Sequence, residues 1–283
     1  MTRVLLLGVS VGAFRRFASP RVGSVRRCAA AYAAARDAFL VSSFSDGVLR
    51  SPEASALLKA AVHRKSSGET VRLCYVPTAS YALRSSSENS PGVQRQRARR
   101  DGKSKRDRIV GLFGGPERCD AVTLDLWDAS VKHVVGSGVP SSAEDVLSSW
   151  EPHLVVVDGG NTFWLRDCME AWLPQLAAST AVYVGVSAGA ICAGHRVDTA
   201  LWKGWDDPNV VEDRDWADVR GLDLAGGASF FPHHAPEWES LVAEKSTDNY
   251  APLVTLHEKG CFVLSQSGES SYLRANHSDA HPA

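Results

Sequence analysis

No run of about 18 consecutive apolar residues occurs in the 283-residue chain, so the sequence offers no transmembrane helix. No two cysteines stand at C-x-x-C spacing and none has a histidine at finger spacing. The six of them (Cys28, Cys74, Cys119, Cys168, Cys192, Cys261) therefore do not read as a structural zinc site, and no metal is expected. They occur singly, some in apolar runs such as Leu73-Cys74-Tyr75 and Cys261-Phe262-Val263. That is the pattern of buried thiols in a reducing compartment, and the expected location is cytoplasmic. The net charge is only −1, which removes any whole-molecule reason for a nucleic-acid partner. No internal repeat is visible.

Acidic residues are absent from the first 36 positions, where seven arginines lie between Arg3 and Arg36. The rest of the chain is correspondingly acidic. Residues 4–14 have the apolar character of a signal-peptide core, but Arg15-Arg16 follows where cleavage sites favour small neutral residues. An Arg- and Ser-containing, acid-free start is closer to an organellar presequence, which would make an organelle the alternative location. A solvated extension is the other reading. Residues 1–36 are thus set apart from a domain at 37–270 and a polar tail at 271–283.

From Ala38 the pattern becomes regular. Ala38–Val41, Val71–Val76, Ala121–Leu126, Leu154–Val157 and Ala181–Val186 are short, largely apolar runs, four of them followed within two residues by Ser, Pro or Gly. Helical stretches alternate with them. One opens at Ser51-Pro52, with Ser as N-cap and Pro in the first turn, and its apolar positions are Ala56, Leu57, Ala60 and Ala61. Others are read at about 103–113 and at 162–178. Strands apolar on both faces, alternating with helices, predict an α/β fold of three layers, a mostly parallel sheet covered on both sides. Leu253–Leu256 and Cys261–Leu264, joined by Glu258-Lys259-Gly260, predict a C-terminal antiparallel β-hairpin. Residues 84–108 interrupt the alternation, Ser-rich first and then with eight basic residues between Arg95 and Arg108. With no aromatics interleaved, they read as a loop running into a solvated helix face rather than a nucleic-acid patch.

The chemistry concentrates at Gly185-Val186-Ser187-Ala188-Gly189, a G-x-S-x-G turn between an apolar strand and a small-residue helix. A serine on so tight a turn needs neighbours without bulk, and its helix N-terminus offers N–H groups to a developing oxyanion. Asp158-Gly159-Gly160-Asn161-Thr162 is a second strand-to-helix turn whose glycines permit close backbone approach, with Asn161 or Thr162 as the cap. For the base, Phe230-Phe231-Pro232-His233-His234 delivers an imidazole from a strand end, either His233 or His234. The remaining histidines lie in the tail, in early elements or close behind the serine helix. An orienting acid placed between Ser and His has five candidates: Asp198, Asp206, Asp207, Glu212 and Asp213.

Taken together, GVSAGAICAG, GGNTFWL and the Pro-His pair, with LVSSFSDG and YVPTAS upstream, resemble the S51 peptidases, the family of peptidase E (α-aspartyl dipeptidase) and cyanophycinase. The likeness spans about residues 38–266. It implies a flavodoxin-like or class I glutamine amidotransferase-like fold and hydrolysis of small peptides through an acyl-enzyme, without metal or organic cofactor. An esterase or amidase, or a silent binding module of the same fold, are the alternatives. By the motifs, the nucleophile is Ser187, the base His233 and the acid Asp206, with Asp207 close behind. The oxyanion amides are those of Gly160 and Ala188, and Gly159, Asn161 and Thr162 belong to the substrate site. The resemblance implies a small-peptide partner, no membrane or nucleic acid, and leaves a homodimer open. One feature departs from the dipeptidases: no Arg stands between His233 and Gln266. With Trp202, Trp205 and Trp238 expected at the pocket, this absence predicts a broad or hydrophobic preference rather than an acidic one.

Overall fold

The computed structural model describes residues 36–84, 87–217, 219–246, 250 and 252–274. Five parallel strands form its centre: β1 (Ala38–Val41), β2 (Val71–Val76), β3 (Cys119–Asp125), β5 (Leu154–Val157) and β6 (Val182–Val186). Antiparallel strands extend both edges. β4 (Ser130–Val135) lies beside β3, β9 (Gly260–Leu264) beside β1, and β10 (Ser270–Arg274) outside β9. The order across the sheet is β10-β9-β1-β6-β5-β2-β3-β4.

Alternate residues of each central strand enter different cores, as the pleat requires. Phe39, Val41, Leu73, Tyr75 and Val156 pack with Leu58 and Val62 of α1 (Pro52–Ser66) and with Ile109 and Val110 of α2 (Pro91–Leu112). Leu40, Cys74, Val155, Val157 and Tyr183 pack on the other side. There they meet Phe163 and Leu165 of α4 (Thr162–Met169) and Ile191 and Cys192 of α6 (Ala188–Ala193). Short helices α3 (Ala143–Ser148), α5 (Leu173–Ala178) and α7 (Glu239–Lys245) complete the chain. The result is the three-layer, mostly parallel α/β architecture that the alternation predicts. No described helix is long and apolar enough to cross a membrane.

Several local expectations are corrected. Leu253–Leu256 does not form a hairpin ladder with Cys261–Leu264. β8 (Leu253–His257) pairs in parallel with β7 (Ser229–His234) in a separate two-stranded sheet. The antiparallel hairpin is instead β9 with β10, because β9 completes the open edge of β1. β10 crosses the boundary drawn at residue 270. The stretch 162–178 is broken by a 3₁₀ turn at Glu170–Trp172. Ser51 does cap α1, accepting from the Ala54 N–H at 3.3 Å, but the helix buries Ala54, Leu58, Ala61 and Val62 and exposes Leu57. Most of the basic stretch is the 22-residue α2, started by Ser90 and Pro91. Its contact face is Gly102, Arg106, Ile109 and Val110, at helical spacing but with only two apolar members. All five described cysteines are buried and unpaired, whereas Cys28 and the Arg-rich residues 1–35 lie outside the described part.

Arg36, assigned above to the extension, is buried in the domain. Its Nη1 donates to the Leu176 carbonyl at 2.7 Å and its Nη2 to the Ala177 carbonyl. Both acceptors lie in the last turn of α5, where carbonyls lack intrahelical partners. Arg36→Ala is expected to lower unfolding free energy by about 1.5–3 kcal/mol, the range for hydrogen bonds to charged groups. Urea titration measures this. A loss below about 0.5 kcal/mol would mean that water replaces both bonds.

Candidate active site

The parallel strands β1, β2, β5 and β6 all end at one edge, where open α/β sheets bind ligands. At the end of β6, Ser187 has φ 49° and ψ −106°, a conformation rare for a residue with a side chain. Such backbone costs of order 1–3 kcal/mol and persists only where surroundings hold it. Here the Ser187 N–H donates to Val41 O at 2.8 Å, and its carbonyl accepts from Ala190 and Ile191. A side chain at Gly189 would put its Cβ 2.1 Å from Val157 O, so the helix sits against β5 only because that residue is glycine.

The strand that carries the histidine pair belongs to the other sheet. His233, near the end of β7, also has positive φ (53°), where the β7–β8 register shifts. Its N–H donates to Ser42 Oγ at 2.7 Å, and that hydroxyl donates onward to Leu256 O at 2.9 Å. Ser42 directly follows β1, so this one side chain joins both sheets. The imidazole Nε2 lies 2.9 Å from Ser187 Oγ, and Nδ1 lies 2.7 Å from Glu258 Oε2. His234 points elsewhere, its ring 4.9 Å from that of His257. Nδ1 therefore carries the proton toward Glu258 and Nε2 is left to accept the serine proton.

Asp206 does not meet His233 as expected for the acid. Its Oδ2 accepts from the Thr162 N–H at 2.9 Å, at the start of α4, and burial pushes its carboxyl above the usual carboxylate range. Asp207 caps the 3₁₀ turn Pro208–Val210. Glu258, on the turn between β8 and β9, takes the position facing the imidazole. The chain order is thus Ser, His, Glu. Glu258 follows the histidine in the chain and so lies outside the Ser-to-His interval of the five candidate acids, although its Glu-Lys-Gly turn stands out in the sequence. Asn161 and Thr162 are also used internally. Asn161 caps α4 by accepting from the Trp164 N–H and donates to Asp207 O, while Thr162 is fully buried. Gly160 adopts φ 147° and would clash with Ala79 if it carried a Cβ.

The serine and imidazole open onto a cleft of about 320 Å³. Ser42, Phe44, Leu49, Tyr75, Ile109, Gly159 and Gly160 line it, together with four charged side chains: Glu258, Asp158, Lys105 and Arg108. Asp158 is buried and accepts from Tyr75 Oη at 2.5 Å and from Lys105 Nζ at 2.7 Å. Arg108 has no hydrogen bond or ion pair among the described residues. The three tryptophans expected on this wall do not line it. Trp202 packs on Phe231 and Tyr250, while Trp205 packs on Trp238 and on the His233 ring. No described group of three His, Cys, Asp or Glu residues is arranged to hold a metal ion.

A serine on a strand-to-helix turn, facing an imidazole held by a carboxylate, is the arrangement of hydrolases that work by acyl transfer. The sequence model of peptidase family S51 matches residues 123–270, and the chain belongs to that family. Among solved structures, a protein of Listeria monocytogenes EGD-e assigned to peptidase E aligns over 85% of this chain and 99% of its own. Its TM-score is 0.53 at 17% identity. A peptidase from an acI-B1 Actinobacterium aligns over 86% of this chain and 95% of its own, with TM-score 0.49 at 15% identity. The first of these shares the fold. No curated protein sequence matches.

The contacts predict an ordering of two variants. Glu258→Gln should lower kcat/KM by roughly 10²–10⁴, the scale for losing the group that orients a catalytic imidazole. Asp206→Asn keeps an acceptor oxygen for the Thr162 N–H and should cost at least tenfold less. Steady-state rates on a dipeptide substrate decide it, and the reverse order would restore Asp206 as the orienting acid.

Proposed function

We propose that this member of family S51 is a serine peptidase that cleaves small peptides through an acyl-enzyme on Ser187. The observation that carries the reading is the continuous hydrogen-bonded line from Ser187 Oγ through His233 to Glu258, opening onto a cleft of dipeptide size. His233 Nε2 takes the serine proton as Oγ attacks the scissile carbonyl. The imidazolium so formed is stabilised by Glu258. The oxyanion of the tetrahedral intermediate lies against the amides of Gly160 and Ala188, the latter at the first position of α6, where N–H groups have no intrahelical acceptor. Collapse breaks the C–N bond, and the imidazolium gives its proton to the leaving amine. Water, deprotonated by the same nitrogen, then releases the acyl group and restores the serine.

The substrate reading also rests on the cleft. Lys105 is engaged by Asp158 and Glu258 by His233, which leaves the Arg108 guanidinium as the charged group on the wall with no bonded partner among the described residues. We therefore assign substrates that carry a carboxylate close to the cleaved bond. This replaces the hydrophobic preference expected from the lack of Arg after His233, since α2 brings a cation from the opposite direction along the chain.

Ser187→Ala is expected to remove turnover by about 10⁴–10⁶ in kcat with the fold intact. A fluorophosphonate probe should label wild type at Ser187 and leave that variant unlabelled. His233→Gln should abolish labelling and His234→Gln should not. Residual turnover of Ser187→Ala within tenfold of wild type would overturn the assignment. Unlabelled wild-type protein would favour the silent binding module, and labelling with ester but no peptide turnover would favour the esterase.

Arg108→Leu should cut the preference for an acidic over a neutral dipeptide of equal size by about tenfold or more, acting mainly on kcat/KM of the acidic one. Equal losses on both substrates would remove Arg108 from substrate recognition.

A further inference from the structure

The segment Trp202–Asp207 lies between the two halves of the proposed catalytic apparatus and is bonded to both. At one end Asp206 accepts from the Thr162 N–H, and Asp207 O accepts from Asn161, so the segment is fastened to the turn that follows Gly160. At the other end Lys203 Nζ donates to Pro232 O at 2.8 Å and to His233 O at 2.6 Å. The ammonium sits among three aromatic rings, 4.3 Å from the centroid of Trp205, 4.5 Å from Phe231 and 4.9 Å from Trp238. Two of its three protons are spent on carbonyls, and the π faces around it favour a cation over a neutral amine.

These contacts bear on the base. His233 is held at positive φ, a conformation that its neighbours must impose. Ser42 accepts from its N–H, and Lys203 takes the carbonyls on both sides of its Cα. Trp205 lies against the imidazole itself, with ring centroids 5.9 Å apart.

We infer that Lys203 is a positioning residue whose ammonium holds the backbone of His233 in the conformation that aims Nε2 at Ser187. The inference rests on the serine-hydrolase reading above. Burial lowers the Lys203 ammonium to about 8, opposed by the carboxylates of Glu237 and Glu258. The other titratable groups near it are the two imidazoles, His233 and His234; burial holds His234 below its usual range. The cation is therefore present below about pH 8 and lost as pH rises through it, which sets an alkaline limit on activity.

The test is the rate of fluorophosphonate labelling of Ser187 from pH 6 to 10, with a thermal melt of each variant. Wild type should slow on the alkaline side with a midpoint near 8. Lys203→Met should label at least tenfold more slowly at pH 7, lose that alkaline limb and melt within a few degrees of wild type. Lys203→Arg should recover part of the rate and move the limb beyond pH 10. Lys203→Met within threefold of wild type at pH 7, with the limb unchanged, overturns the proposal. If Lys203→Met melts below the assay temperature, Lys203→Arg carries the test. Its guanidinium stays charged across the range, so the limb should vanish below pH 10. An unmoved limb overturns the proposal. Wild type that resists labelling at every pH fails differently, because it removes the serine-hydrolase reading itself.

Discussion

The hydrogen bond between Ser187 Oγ and His233 Nε2 joins two sheets that share no strand pairing. Ser187 ends a central strand of the large sheet, and His233 lies near the end of β7 in the small one. Both residues occupy backbone conformations that a side chain disfavours, so neither would stay in place through local preference alone. What holds them is a set of contacts from elsewhere in the fold. Val41 O and the start of α6 fix the serine turn. Ser42, the residue directly after β1, ties His233 and Leu256 to the large sheet. Glycine at position 189 lets the serine turn close onto the end of β5, and glycine at position 160 lets the neighbouring turn close onto Ala79.

The carboxylates around this bond are distributed by the donors they meet. Asp206 is spent on a backbone N–H at a helix start, where a negative charge is favourable. Asp158 is buried beneath Tyr75 and Lys105. Glu258, on a turn and half exposed, is the acid within reach of the imidazole. The cations divide in the same way. Arg106 is buried and hydrogen-bonded to the His133 carbonyl, while Lys105 and Arg108 on the same helix face the cleft. A helix that reads as a solvated basic stretch therefore places one cation in the core and two on the wall of the cleft, because its periodicity turns successive residues to different surroundings.

Much of this was legible in order along the chain. The apolar runs specify strands covered on both faces, and four of the five are followed within two residues by Ser, Pro or Gly. The serine turn is legible because its requirements are local: a strand, small residues and a helix start within ten positions. The same holds for the Ser51 cap and for the Pro-His strand end, where adjacent residues point to opposite sides and one imidazole must be chosen.

What only the tertiary structure decided are partnerships between residues far apart in sequence. Glu258 reaches His233 because β8 pairs with β7 instead of folding back on β9, and strand pairing between alternatives of similar composition is not written in either strand. Lys105 and Arg108 enter the cleft because α2 packs Gly102 against Tyr75 and Pro77 of the neighbouring strand end. Sequence by itself determined the sheet, the serine turn and the histidine pair, since backbone sterics and hydrophobic periodicity act over a few residues. The carboxylate that meets the imidazole, the charge of the cleft and the residues that hold the imidazole depend on which surfaces pack together, and that is settled only when the whole chain has folded.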